Sequence, residues 1–224
     1  MNDNVVNKKS FLSQVTEIVK TNIRNIIILL SLCFVLFLSF QIYSFYISNK
    51  IQKNSISFFA AQNTDDTNVI TDTITKLSND NTFYGVLAKL ELIDLTLKQN
   101  NIEDSISMYR EIINQNNLES VYKSAIASKA SYQLIDINFE NLSLNYLNII
   151  NDFISYIDDE TASYKGIKLE LKYLIKILEA EKNSINYSSF NEVNDVYENI
   201  MSSDVVSSAI KERVNKIHEF YSNK

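Results

Sequence analysis

Between Ile26 and Ile47 the chain reads IIILLSLCFVLFLSFQIYSFYI, 22 residues without a charge. A helix rises ~1.5 Å per residue, so this run is long enough to cross the ~30 Å hydrocarbon core of a bilayer. Its polar members are Ser31, Ser39, Gln41 and Ser44. A serine can return its hydroxyl to its own helix and so tolerates such a setting. Tyr43 and Tyr46 fall near one end, where amphipathic rings favour the headgroup layer. A buried helix of a soluble protein would need a core around it, and no other segment is large enough to supply one. A cleaved signal peptide would have an apolar stretch of about 7–15 residues followed by a small-x-small site. Here the run is longer and leads into Tyr, Phe, Ile and Lys. The segment therefore reads as an uncleaved anchor, a transmembrane helix over residues 25–48.

Flanking charge gives the orientation. Lys8, Lys9, Lys20 and Arg24 precede the span, and only Lys50 and Lys53 follow closely. That bias predicts a cytoplasmic N-terminal tail, residues 1–24, with the bulk of the chain on the far side of the membrane. The first 48 residues carry four basic and two acidic side chains, the remainder 17 and 25. An acidic ectodomain repels polyanions, so neither nucleic acid nor anionic headgroups are expected as its partners.

Composition narrows the fold of that ectodomain. The 224 residues include no proline, no tryptophan, two glycines (Gly85, Gly166), one cysteine (Cys33) and one histidine (His218). Hairpin-rich β folds mark their turns with Gly and Pro, so the chain is predicted to be all-helical. Asn and Ser stand where loops elsewhere carry glycine, because Asn tolerates the left-handed conformation. Phosphate-cradling loops, Cys/His zinc sites and Cys–His catalytic pairs all need residues that this chain lacks. No catalytic, cofactor-binding or metal-binding residue is expected, no cofactor and no small-molecule substrate, and the protein does not read as an enzyme.

Residues 49–68 read as a helical extension of the anchor followed by a polar linker, Ala61 to Asn68. Beyond it, residues 69–224 fall into amphipathic segments with apolar groups at helical spacing. One runs over Phe83 to Leu97. Another places Ile102, Ile106, Tyr109 and Ile113 on one face. Further helices are predicted from about Leu118 to Ile137, from Leu142 to Ile157, after the acidic turn Asp158-Asp159-Glu160-Thr161, and from Val206 to Tyr221. Ser189-x-x-Glu192 has the form of a capping box. The segments pair with a period. Tyr84, Tyr122 and Tyr164 open successive first helices, and Tyr109-x-x-Ile112, Leu147-x-x-Ile150 and Tyr197-x-x-Ile200 recur in the second ones. A helical pair of this size cannot bury its apolar face alone and must stack on its neighbours.

Those residues resemble the tetratricopeptide repeat (TPR). The best match is YGVLAKLELIDLTLKQNNIEDSISMYREIINQN, Tyr84 to Asn116. In it Ser105, Tyr109 and Ile112 correspond to the small, aromatic and small positions of the second helix. Asn117 stands where the helix-ending proline is usual, and Ile93 where a small residue is usual. The resulting expectation is an all-α chain, one N-terminal transmembrane helix followed by a TPR-like α-solenoid. The whole layout is similar to the ancillary SecYEG translocon subunit (YfgM-like) family, and Ser163 to Lys176 resembles that family's third repeat. The resemblance implies a bacterial inner-membrane protein, single-pass, with its C-terminal domain in the periplasm. It further implies association with translocon subunits and with a periplasmic chaperone or prolyl isomerase.

TPR-like units receive peptides in a groove lined by the first helix of each pair, and by that analogy Asp94, Lys129 and Tyr132 are the groove candidates. Tyr109, Tyr146, Tyr173 and Tyr197 read as repeat core with their hydroxyls reaching a polar boundary. His218, the lone imidazole, reads as a solvated surface residue. The cluster Asp158-Asp159-Glu160 lacks the ligand spacing of a calcium loop and reads as a polar turn. The leading functional expectation is a membrane-anchored protein-interaction scaffold. The alternative is an envelope factor for cell division or outer-membrane assembly working through the same kind of surface.

Overall fold

The computed structural model describes residues 11–116, 118–160, 162–185 and 191–223. Among the described residues every regular element is an α-helix: α1 Phe11–Gln62, α2 Thr67–Ser78, α3 Phe83–Lys98, α4 Ile102–Ile113, α5 Ser120–Glu140, α6 Leu147–Ser155, α7 Ala162–Lys182, α8 Asn191–Ser202 and α9 Ser208–Ser222. The all-helical expectation therefore holds. The chain divides into two compact units, Met1–Thr73 with Thr82–Tyr84, and Ile74–Asn81 with Gly85–Lys224.

The first unit is dominated by α1, whose 52 residues extend for about 78 Å. That is more than twice the thickness of a bilayer's hydrocarbon core. Its most apolar stretch has no side chain buried within the protein, so the helix is long and apolar enough to cross a membrane. Leu30, Phe34 and Phe40 are all exposed. Phe58 and Phe59, near its C-terminal end, pack on Tyr84 with ring centroids 6.1 Å away in each case. Asn54 donates to the Thr82 hydroxyl at 3.0 Å. The polar stretch expected as a linker is shorter than the sequence suggested. Ala61 and Gln62 complete α1, and Thr67 already opens α2. Asp66 explains the restart, because its carboxylate accepts from the backbone N–H groups of Asn68 and Val69 and so caps the new helix.

In the second unit the helices interlock in a fixed order. Helix α5 packs against α4, α6 and α7, and α7 packs against α5, α6, α8 and α9. Two apolar clusters result. The larger joins Val86 and Ile93 of α3, Ile106, Tyr109 and Ile112 of α4, Ala127, Ala130 and Leu134 of α5, Ile150 and Phe153 of α6, and Leu171 and Ile175 of α7. The smaller gathers Tyr173 and Ile177 of α7, Val193 and Ile200 of α8, and Ile210 and Val214 of α9. Helix α7 serves both because two residues along a helix turn its face by ~200°. Leu171 and Ile175 look one way, Tyr173 and Ile177 the other.

The recurring isoleucines of the second helices, Ile112, Ile150 and Ile200, are all fully buried. So is Ser105, whose hydroxyl donates to the carbonyl of Asn101 at 3.0 Å. Ser143, four residues before Leu147 as Ser105 is before Tyr109, has no equivalent place: α6 begins at Leu147, not near Leu142, and Ser143 lies in the preceding turn, where Asn141 accepts from its N–H and its hydroxyl. Asn141 has diverted the chain before the helix can start, since an Asx turn offers the backbone a competing partner. Asn100 takes the left-handed conformation, φ 63°, and Asn101 then caps α4. Ser184 is the other non-glycine residue with positive φ among the described residues. Neither glycine performs that task, and both lie inside helices at close approaches. Ser189 of the expected capping box, Thr161 of the acidic turn and Asn117 lie outside the described residues.

Candidate interaction surface

Helix α5 presents Lys129, Tyr132 and Gln133 at i, i+3 and i+4, a spacing that puts all three on one face. Lys129 pairs with Asp94 of α3 at 2.7 Å, and Gln133 donates to the other oxygen of the same carboxylate at 3.0 Å. The Gln133 carbonyl in turn accepts from the Tyr109 hydroxyl of α4. Tyr132 reaches in the opposite direction, donating to Glu170 of α7 at 2.8 Å. Arg213 of α9 grips the same carboxylate with two nitrogens, at 2.9 and 2.8 Å. The result is a polar ladder across α3, α5, α7 and α9, the alternate helices of the unit.

All three groove candidates thus lie in this ladder. Their chemistry differs. Glu170 is only 3% exposed, and its partners saturate it. Burial and the Glu170 charge push the Tyr132 hydroxyl above the ordinary tyrosine range, so it stays a neutral donor. Burial, with the charge of Asp94, does the same to Tyr109. Tyr132 is therefore committed to holding α7. Asp94 and Lys129 keep 35% and 38% of their side-chain surface exposed. An ion pair that open to water contributes ~0–1 kcal/mol, so an incoming charged or amide group can compete for either member at small cost. Beside Asp94, Glu91, Leu97, Lys98 and Gln133 line an open groove. The analogy with TPR grooves singles out Asp94, Lys129 and Tyr132 but not Glu170 and Arg213, whose roles depend on which helices stack. The one available signal was that the chain's rare arginines include Arg213, on a segment with an apolar face.

The acidic turn is internally occupied. Asp158 accepts from the Glu160 backbone at 2.9 Å, Asp159 pairs with Lys168 at 2.9 Å, and the Asp158 N–H donates to the buried Ser124 hydroxyl of α5. These bonds pin the α6–α7 connection onto α5. Among the described residues no cluster of three or more acidic, histidine or cysteine side chains is arranged to hold a metal ion.

His218 departs from its expected place on the surface. Its ring stacks on Tyr197 at 3.7 Å and 13°, and its Nδ1 lies 3.3 Å from the Tyr173 hydroxyl. The reason is register: 210, 214 and 218 are four apart, so His218 shares the inward face of buried Ile210 and Val214. Burial holds its pKa below the ordinary histidine value, with Glu219 opposing. A base whose folded pKa is lowered takes up its proton more readily when unfolded. The stability it contributes is thus present at neutral pH and declines as pH falls below about 6.5. His218→Phe, which keeps the stack and cannot titrate, is expected to show a smaller drop in melting temperature between pH 7.5 and 5.5 than the parent chain. His218→Ala should lose about 0.5–1.5 kcal/mol at pH 7.5. Thermal melts of the three proteins at both pH values check this, and equal pH slopes would refute it.

No known protein family, curated protein or solved structure matches this chain.

Proposed function

We propose that the protein is a membrane-anchored scaffold whose helical unit is a TPR-like stack that recognises segments of other proteins. The observation that carries this reading is the ladder joining α3, α5, α7 and α9. In a TPR-like stack the first helices of successive pairs line the recognition groove, and here alternate helices bring their polar residues together. The neighbour pattern supports it as well, since α5 touches its own partner α6, the preceding α4 and the next first helix α7. Solenoids of this kind act by presenting helix faces to a partner, without bond chemistry. The uncharged run of α1 supports the anchor. Tethering raises the local concentration of a second partner at the membrane, so weak contacts in the groove suffice.

The finer proposal is an N-terminus in the cytoplasm, the helical unit in a bacterial periplasm, and service to the Sec translocon together with a periplasmic chaperone or prolyl isomerase. The excess of Lys and Arg before the span supports the orientation. The test is photocrosslinking of the full chain in its membranes, from Lys98 at the groove and from Asn151, exposed on α6. Adducts from Lys98 but not Asn151 are expected, identified by mass spectrometry as translocon subunits or a periplasmic folding factor. Division or outer-membrane assembly proteins in the adducts would favour the envelope alternative. Equal labelling from both positions would overturn groove recognition.

A further inference from the structure

Gln41 is the one amide inside the uncharged run, exposed on α1 and without a hydrogen bond among the described residues. Ser39, two positions away, satisfies itself by donating to the Val35 carbonyl at 2.9 Å. An amide needs both a donor and an acceptor opposite it, and the backbone N–H groups of a helix interior are spent on its own ladder, so nothing in the surrounding backbone donates to the Gln41 carbonyl. On the membrane reading proposed above, which this inference requires, Gln41 lies about 7 Å from the middle of the span and about 8 Å inside the hydrocarbon boundary. That is too deep for its side chain to reach the headgroups, and an unsatisfied polar group in hydrocarbon is costly.

We infer that Gln41 pairs with Gln41 of a second copy of this chain, joining two α1 helices in parallel within the bilayer. The occupant follows from complementarity. A second copy enters the membrane in the same orientation and brings an amide to the same depth, so two carboxamides exchange reciprocal hydrogen bonds about a twofold axis. Any other partner would need an independent polar group at that level. Ser44 and Ser48 lie on the same side of α1, at i+3 and i+7, and are small enough to let two backbones approach. Both are exposed.

Disulfide crosslinking of the full chain in native membranes tests this. With Cys33 replaced by alanine, Ser48→Cys places a thiol in line with Gln41 two turns away, and Tyr46→Cys places one on nearly the opposite side. Oxidation is expected to yield a dimer of twice the chain mass from Ser48→Cys and little from Tyr46→Cys. Adding Gln41→Leu should lower the dimer yield roughly three- to tenfold, and Gln41→Asn should keep most of it. A dimer indifferent to Gln41→Leu, or a Ser48→Cys adduct with a different protein, overturns the pairing. Carbonate washing of the same membranes separates the two possible failures. A chain that washes off defeats the anchor as well, whereas a chain that stays in the pellet without a Gln41-dependent dimer defeats the pairing alone.

Discussion

A chain lacking residues 1–48 is expected to appear wholly in the soluble fraction, while the full chain stays with membranes through carbonate and high-salt washing and is released by detergent. The size of the effect follows from burial. Transferring apolar surface out of water is worth ~25 cal/mol per Å², and the exposed run includes Leu29, Leu30, Phe34, Leu36, Phe37, Phe40 and Phe45, each more than half exposed. These side chains alone present several hundred Å² of apolar surface, far more than a monomeric soluble protein ordinarily leaves uncovered. The shortened chain should keep its helical circular dichroism, because the apolar clusters of the second unit contain no residue before Val86. Fractionation and immunoblotting of both forms decide it. A full chain that leaves the membrane in carbonate would remove the anchor from the proposal and leave only the helical scaffold.

Gly85→Ala is expected to destabilise the helical unit by about 3 kcal/mol, at the upper end of what overpacking costs. A Cβ at Gly85 would sit 1.8 Å from the carbonyl oxygen of Asp80 and 2.8 Å from its carbon. These are backbone atoms, so the turn between α2 and α3 must move bodily to admit the methyl. Gly166 in α7 offers an internal control. A Cβ there meets the Cδ1 of Ile210 at 3.2 Å, the far end of a side chain that can rotate away. Alanine also favours a helix interior over glycine by ~1 kcal/mol. Gly166→Ala is therefore expected to lie near neutral. Denaturant unfolding of the two variants followed at 222 nm gives the comparison, and similar midpoints for both would contradict it.

How much of this was legible beforehand varies with range along the chain. The helical class was readable because it rests on local chemistry, namely the scarcity of Gly and Pro and apolar spacing that repeats every three to four residues. The buried Ile112, Ile150 and Ile200 followed from the same spacing, and Asn100 took the left-handed turn expected of asparagine. Boundaries were less legible. Asp66 and Asn141 each redirect the backbone through one side-chain oxygen, and periodicity carries no trace of a single cap. Partnerships between helices were the least legible of all. Asp94, Lys129 and Tyr132 could be placed on first helices by spacing, but Glu170 and Arg213 stand 43 residues apart and meet only because α7 and α9 pack together. His218 shows the same limit: its four-residue step from Val214 turns it toward the Tyr197 and Tyr173 rings, a meeting that depends on α7, α8 and α9 packing together.

The two-sided α7 has a further consequence. Because Leu171 and Ile175 close one core while Tyr173 and Ile177 close the other, neither half of the unit owns a complete wall. Loss of order around α8 and α9 strips one flank of α7 to water and loosens the helix that the α3–α6 half leans on. The halves are thereby yoked, and a partner that steadies α9 at one edge would also be felt by α4 at the other.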